Sequence, residues 1–151
     1  MAKPLDASHT AGRFDGFRLA RVQGTQSGVV DAATLPRVAD RLLASPAPIR
    51  WRIDGTHDSM GRLALAIELD GEVVLECQRC LGPLVLPIAQ RNLLLLAHGD
   101  DDAEQLDADS DAEVLVASTP LEPATLVEDE LVLTLPYAAR HADGECTAPS
   151  A

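Results

Sequence analysis

Two cysteines at C-x-x-C spacing, Cys77-Gln78-Arg79-Cys80, stand between the apolar runs Val73-Val74-Leu75 and Leu84-Val85-Leu86. Thiols two residues apart can point inward from one tight turn, whose backbone N–H groups stabilise thiolates, the form that ligates metal or attacks a disulfide. Gly82, just past the pair, is expected to let the chain turn back without a Cβ clash. The stretch therefore predicts a strand, a knuckle and a strand. A C-x-x-C supplies half of a tetrahedral metal site. The third cysteine, Cys146, follows His141 at H-x-x-x-x-C spacing, a loop long enough for both side chains to reach one ion. Cys77, Cys80, His141 and Cys146 would form a Cys₃His set, whose ligand types and count suit structural zinc. Two alternatives stay open. A redox-active dithiol normally opens a helix, whereas Gly82-Pro83 and a β run follow here. The other is a pair of reduced cysteines packed at a turn with no metal.

The rest of the chain offers little other chemistry. His9, His57 and His98 read as loop histidines. Glu128 and Glu130 are the only tempting carboxylate pair, but residues two apart on a helix do not face each other. Glu128, Asp129 and Glu130 are expected on a solvated helix face, with docking of a basic partner as a second role. Residues 98–113 are acidic and read as a flexible loop. Their D-x-D-x-D spacing resembles a calcium loop, but Ala112 and Ser118 stand where that loop needs glycine and glutamate. There is no glycine-rich phosphate loop and no G-x-S-x-G.

The elements that must position the cysteines follow from periodicity. Thr34 is a candidate N-cap for an amphipathic helix, with Leu35, Val38, Ala39, Leu42 and Leu43 on one face, ending near Ser45-Pro46. Gln23–Gly28 reads as a loop. Ile49–Ile53 alternates apolar and basic residues as a half-buried strand, with Asp54-Gly55 as a turn. Arg62–Leu69 and Glu72–Cys77 read as strands joined at Asp70-Gly71, a strong hairpin signal. Leu84–Ala97 is one bent strand or two short ones, and Glu113–Ala117 another strand. A second helix spans about Ala124 to Thr134, with Leu126, Val127, Leu131 and Leu135 inward, and Pro136 ends it. The predicted fold class is α+β: an antiparallel sheet of five to six strands, two packing helices and the knuckle at one end. Residues 1–12 form a loose N-terminus, 1–146 a single domain and 147–151 a tail.

At 151 residues, 46% of them hydrophobic and 3% aromatic, the chain suits one domain with an aliphatic core. Three cysteines do not make a disulfide framework, and neither a secretory signal nor a membrane span is visible. A cytoplasmic protein with reduced thiols is expected. The net charge of −12 is uneven: residues 1–62 hold nine Lys and Arg against six Asp and Glu, the remainder three against eighteen. Such a chain repels a phosphate backbone at long range, so a basic protein is the better partner than bare RNA.

Leu75-Glu76-Cys77-Gln78-Arg79-Cys80, the segment Leu126-Val127-Glu128-Asp129-Glu130-Leu131-Val132-Leu133-Thr134-Leu135-Pro136 and the His141/Cys146 pair together resemble the YceD family over roughly residues 14–146. These are bacterial large ribosomal RNA subunit accumulation proteins, with relatives in plant organelles. The resemblance implies a non-catalytic accessory factor in large-subunit assembly, promoting accumulation or processing of large-subunit (23S) ribosomal RNA. It also implies a ribosomal or ribosome-assembly protein as partner, and rRNA contacted directly or indirectly. A zinc-dependent or thiol-redox enzyme using Cys77 and Cys80 is the alternative. Family members usually continue into an Asn-Pro-Phe-type segment and a short basic helix. The chain ends at Ala151 without them, so any contact made there in relatives is expected to be missing.

Overall fold

The computed structural model describes residues 12–142, 144 and 146. The expected loose N-terminus, apart from Gly12, and the 147–151 tail lie outside the described residues. A five-stranded sheet, ordered β1-β2-β3-β4-β5 along the chain, carries four α-helices. The strands are β1 (Thr25–Val30), β2 (Ile49–His57), β3 (Leu63–Glu76), β4 (Pro83–Ala97) and β5 (Glu113–Val116). The helices are α1 (Gly16–Arg21), α2 (Pro36–Ala39), α3 (Asp100–Asp109) and α4 (Pro123–Thr134). The α+β class is as expected; the all-antiparallel sheet and the pair of helices are not.

One sheet face holds the core. Ile49, Trp51 and Ile53 of β2 line up with Leu65, Ile67, Leu69, Val73 and Leu75 of β3 and with Leu84, Ile88, Leu94 and Leu96 of β4. Phe17 and Ala20 of α1, Val38 of α2, and Leu126, Val127 and Leu131 of α4 close over them. Leu126, Val127, Leu131 and Leu135 thus face inward as the 3.6-residue period demands. On the opposite face α3 packs against β4 and β5, where Leu95 and Ala97 are fully buried.

Several local signals were overruled by pairing. Asp70-Gly71 does not turn: β3 runs straight through it, with Asp70 opposite Arg50 and ion-paired to it. A Cβ on Gly71 would stand 2.9 Å from Ile49 Cδ1, so this glycine makes room for a core side chain. The reversal comes earlier, where Asp58 Oδ1 accepts from the Met60 and Arg62 N–H groups at 2.9 and 2.8 Å and Gly61 takes φ +79°. Asp54-Gly55 is likewise inside β2. Gly55 is there for α1, because a Cβ would lie 2.0 Å from the Leu19 carbonyl oxygen. Most of the expected Gln23–Gly28 loop is β1, hydrogen-bonded to β2 from Thr25 onward.

The helices differ in the same way. The expected 35–43 helix is only the four residues of α2. Beyond it Leu43 and Ala44 donate to the Val74 carbonyl, at 2.8 and 3.3 Å, and extend the edge of β3. Thr34 is not its N-cap: Leu35 holds that position without a side-chain bond, while Asp31 caps the preceding 3₁₀ turn, Ala32–Thr34. α1, unreadable from hydropathy, is nucleated by Asp15, whose carboxylate accepts from Arg18 N–H at 3.2 Å. The acidic segment is not a loop either. Asp100, Asp101 and Asp102 occupy the first turn of α3, where they complement the helix dipole, and Asp102 Oδ2 accepts from His98 N–H at 2.8 Å. This helix makes the sheet mixed: it carries the chain back from the end of β4, so β5 pairs with β4 in parallel. Among the described residues no helix is long and apolar enough to cross a membrane.

Candidate metal centre

The β3–β4 ladder runs from Ala64 opposite Leu95 to Glu76 opposite Pro83, and the turn that closes it holds both cysteines of the C-x-x-C. Cys77 N–H donates to Gly82 C=O at 2.9 Å, and Leu81 N–H to Cys77 C=O at 2.8 Å. The left-handed position is Leu81, at φ 61°, and not Gly82 as the sequence implied. A Cβ on Gly82 would meet only Cys80 Sγ, at 3.5 Å, an ordinary contact. Leu81 adopts this conformation although a γ-branched residue does so at a cost of about 1 kcal/mol or more, because the hydrogen bonds around it fix the turn.

The second half of the site is brought by the segment after α4. Arg41 Nη2 donates to Pro136 C=O at 2.6 Å, and Ala139, 7% exposed, packs in the core. Gln78 N–H then donates to Ala139 C=O at 2.8 Å, which ties the segment to the turn itself. Two residues on, His141 arrives beside Cys80. Gly144 takes φ +82° in the loop that returns Cys146.

The ligand atoms of Cys77, Cys80, His141 and Cys146 all lie within 4.8 Å of one another. Cys77 Sγ stands 3.8 Å from Cys146 Sγ, and Cys80 Sγ 3.6 Å from His141 Nδ1. A tetrahedron with Zn–S of about 2.3 Å and Zn–N of about 2.0–2.1 Å has edges of about 3.8 Å between sulfurs and about 3.6 Å from sulfur to nitrogen. These two pairs match those edges, and all three cysteines are free thiols. His141 Nε2 lies 3.0 Å from the Pro83 carbonyl oxygen. A carbonyl can only accept, so Nε2 carries the hydrogen, and in its neutral form His141 turns the Nδ1 lone pair toward the sulfurs. That is the orientation an outer-shell acceptor imposes on a ligating histidine.

The four groups differ in their electrostatics. Burial pushes the Cys77 thiol up, but the N–H groups of Cys80, His141 and Arg79 outweigh it and hold the thiol at about 5. For Cys80 the Gly82 N–H is the leading influence, and the thiol is again lowered. Cys146 is pushed up to about 11 by burial and by the neighbouring Cys80 and Cys77. Burial lowers His141, but Cys77, Cys80 and the Pro83 carbonyl raise it on balance. Three thiols cannot ionise side by side without a compensating cation, and a dication supplies that charge.

The acidic triplet of α4 does not form one surface. Glu128 accepts from the Arg37 backbone N–H at 2.9 Å and from its guanidinium at 3.2 Å, and Asp129 is ion-paired to the same guanidinium. Glu130 is not outward at all. It is 2% exposed, with Oε1 accepting from Asn92 Nδ2 at 3.0 Å and Oε2 without a hydrogen-bond partner among the described residues. No sequence signal marks this pair, since Asn92 and Glu130 meet only once α4 lies on β4. The Pro83 and Ala139 carbonyls were equally invisible, being backbone groups.

Burial raises the Glu130 carboxyl, the Asn92 hydrogen bond opposes this, and the charges of Glu113 and Asp129 add to the rise. The folded chain therefore keeps a proton that the unfolded chain, at 4.5, releases. The stability linked to that proton is complete below 4.5 and is lost as pH rises through the folded value. In urea unfolding over a pH series, wild type should lose stability relative to Glu130→Gln as pH rises from about 4 to about 8. A constant difference between the two would show that folding does not raise the Glu130 carboxyl.

Against known families, the model for large ribosomal RNA subunit accumulation protein YceD matches residues 65–151, which include the turn and all four ligands. No curated protein and no solved structure matches the chain significantly.

Proposed function

The chain belongs to the YceD family, and on that premise we propose that it is a non-catalytic accessory factor that supports accumulation or processing of large-subunit ribosomal RNA in the cytoplasm. The observation that carries this reading is the family match across residues 65–151, within which both halves of the Cys₃His cluster fall. The second part of the proposal is that Cys77, Cys80, His141 and Cys146 bind zinc as a structural staple. Four protein ligands fill a tetrahedral ion and leave no open position for a substrate or an activated water, which favours a staple over a catalytic metal. The burial of Cys77 and the strand that follows the turn favour it over a redox dithiol.

The partner is a ribosomal or ribosome-assembly protein, with rRNA reached through it. A basic partner would have to displace Arg37 to reach Glu128 and Asp129, so those carboxylates are a secondary contact at best. Deleting the gene in its host should lower large-subunit relative to small-subunit rRNA. A plasmid copy of wild type should restore the ratio, and a copy carrying His141→Ala should restore it poorly. An unchanged ratio after deletion would overturn the assembly role. Full restoration by the variant would separate that role from the metal.

A further inference from the structure

A cleft of about 380 Å³ opens beside the cysteine turn, lined by Asp40, Leu43, Leu75, Glu76, Tyr137 and Ala139 among others. Leu75 and Ala139 are buried and give it an apolar floor. On its walls Leu43 is 52% exposed and Tyr137 101%, so a half-exposed leucine and a bare aromatic ring border the same recess. Asp40 and Glu76 are exposed, and among the described residues neither carboxylate has an ion pair. Arg41, a cation on the same cleft, is already engaged by the Pro136 carbonyl. An apolar floor, a bare aromatic ring and two unpaired carboxylates together make a receptor for a cation on an aliphatic stem.

We propose that this cleft docks an arginine-bearing, partly apolar segment of a basic protein. The guanidinium lies over the Tyr137 ring and between the Asp40 and Glu76 carboxylates, and the stem and a neighbouring aliphatic residue contact Leu43 and Leu75. The charge of the molecule favours such a partner at longer range, because the three Lys and Arg after residue 62 face eighteen Asp and Glu. The same two carboxylates repel a phosphate backbone, which sets RNA aside as occupant. This inference rests on the assembly-factor reading and gives its protein partner a chemistry and an address. It also joins the cleft to the metal cluster. The wall from Pro136 to Ala139 is strung between Arg41 at one end and Gln78 N–H at the other, and Gln78 follows Cys77 directly.

The test is a fluorescence-anisotropy titration of the full chain against a labelled, end-blocked peptide alternating arginine and leucine. Wild type should bind, and Glu76→Lys and Tyr137→Ala should each weaken binding by about tenfold or more. Asp111→Lys makes the same charge change on an exposed residue outside the cleft, and should stay within about twofold of wild type. Tyr137 is fully exposed, so its removal leaves the core intact. No binding by wild type overturns the proposal, as does an equal loss in all three variants, which would mean diffuse attraction to an acidic protein. Displacement of the peptide by a large-subunit rRNA fragment in a Tyr137-dependent way would overturn it in favour of RNA. Failure here with an intact rRNA phenotype sinks the docking site alone; peptide binding with no rRNA phenotype sinks the assembly role alone.

Discussion

Cys80→Ser should lower zinc affinity by well over about 100-fold, more than the loss of an outer-shell partner costs, because it removes one of four direct ligands. Cys80 is the ligand to change, since Cys77 is also a buried core residue whose replacement would disturb packing. The measurement pairs metal content by mass spectrometry with amide hydrogen exchange. Purified wild type should hold about one zinc per chain, and Cys80→Ser little or none. The informative amide is Gln78 N–H, which is bonded to the Ala139 carbonyl and so reports whether the segment after α4 is tied to the turn. It should exchange slowly in zinc-loaded wild type, and fast in the variant or after chelation. The sheet should survive, because Leu65, Ile67, Ile88 and Leu131 pack without help from the cluster. Slow Gln78 exchange in a zinc-free, chelator-treated wild type would show that packing alone holds the segment. That result would sink the staple.

Gly55→Ala should destabilise the fold by about 3 kcal/mol or more, a large effect for a single methyl group. The added Cβ would stand 2.0 Å from the Leu19 carbonyl oxygen, 2.4 Å from its carbon and 2.7 Å from Ala20 Cα. These are backbone atoms of α1, so no rotamer change relieves the clash. Either α1 lifts from the sheet, exposing Phe17 and Ala20, or β2 bends where it pairs with β3 at Leu65. Gly12→Ala, with nothing within 4 Å of its added Cβ, is the matched control and should change little. Urea unfolding of both variants decides the matter. A Gly55→Ala midpoint equal to wild type would mean that α1 is not held against β2 in solution.

These two positions mark what could and could not be read from the chain. The cluster was legible because ligand chemistry is carried by residue type: Cys77, Cys80, His141 and Cys146 remain conspicuous however the chain runs between them. Alternation exposed Ile49–Ile53, and the 3.6-residue period with Pro136 at its end marked α4. Gly55 and Gly71 misled because each looks like half of a turn. Both are positions where another element comes too close for a side chain, and only the assembled fold reveals that. α3 was hidden by its charge: an aspartate run reads as solvated loop unless it sits at a helix start, where the dipole reverses its meaning. Glu130 was assigned outward by its acidic neighbours, yet Asn92 receives it in the interior. The parallel pairing of β5 followed from the missed helix.

Because strand order in space repeats strand order in sequence, the sheet can be laid down in step with synthesis. Each strand after the first finds its neighbour already made, and α3 emerges between β4 and β5 in time to aim the latter. The cluster closes outside this progression: the turn that holds Cys77 and Cys80 leaves the ribosome long before His141 and Cys146, and can do no more than wait half-formed. The four ligand atoms therefore come together only once residue 146 has been made, and a chain truncated before His141 could fold most of its sheet without them.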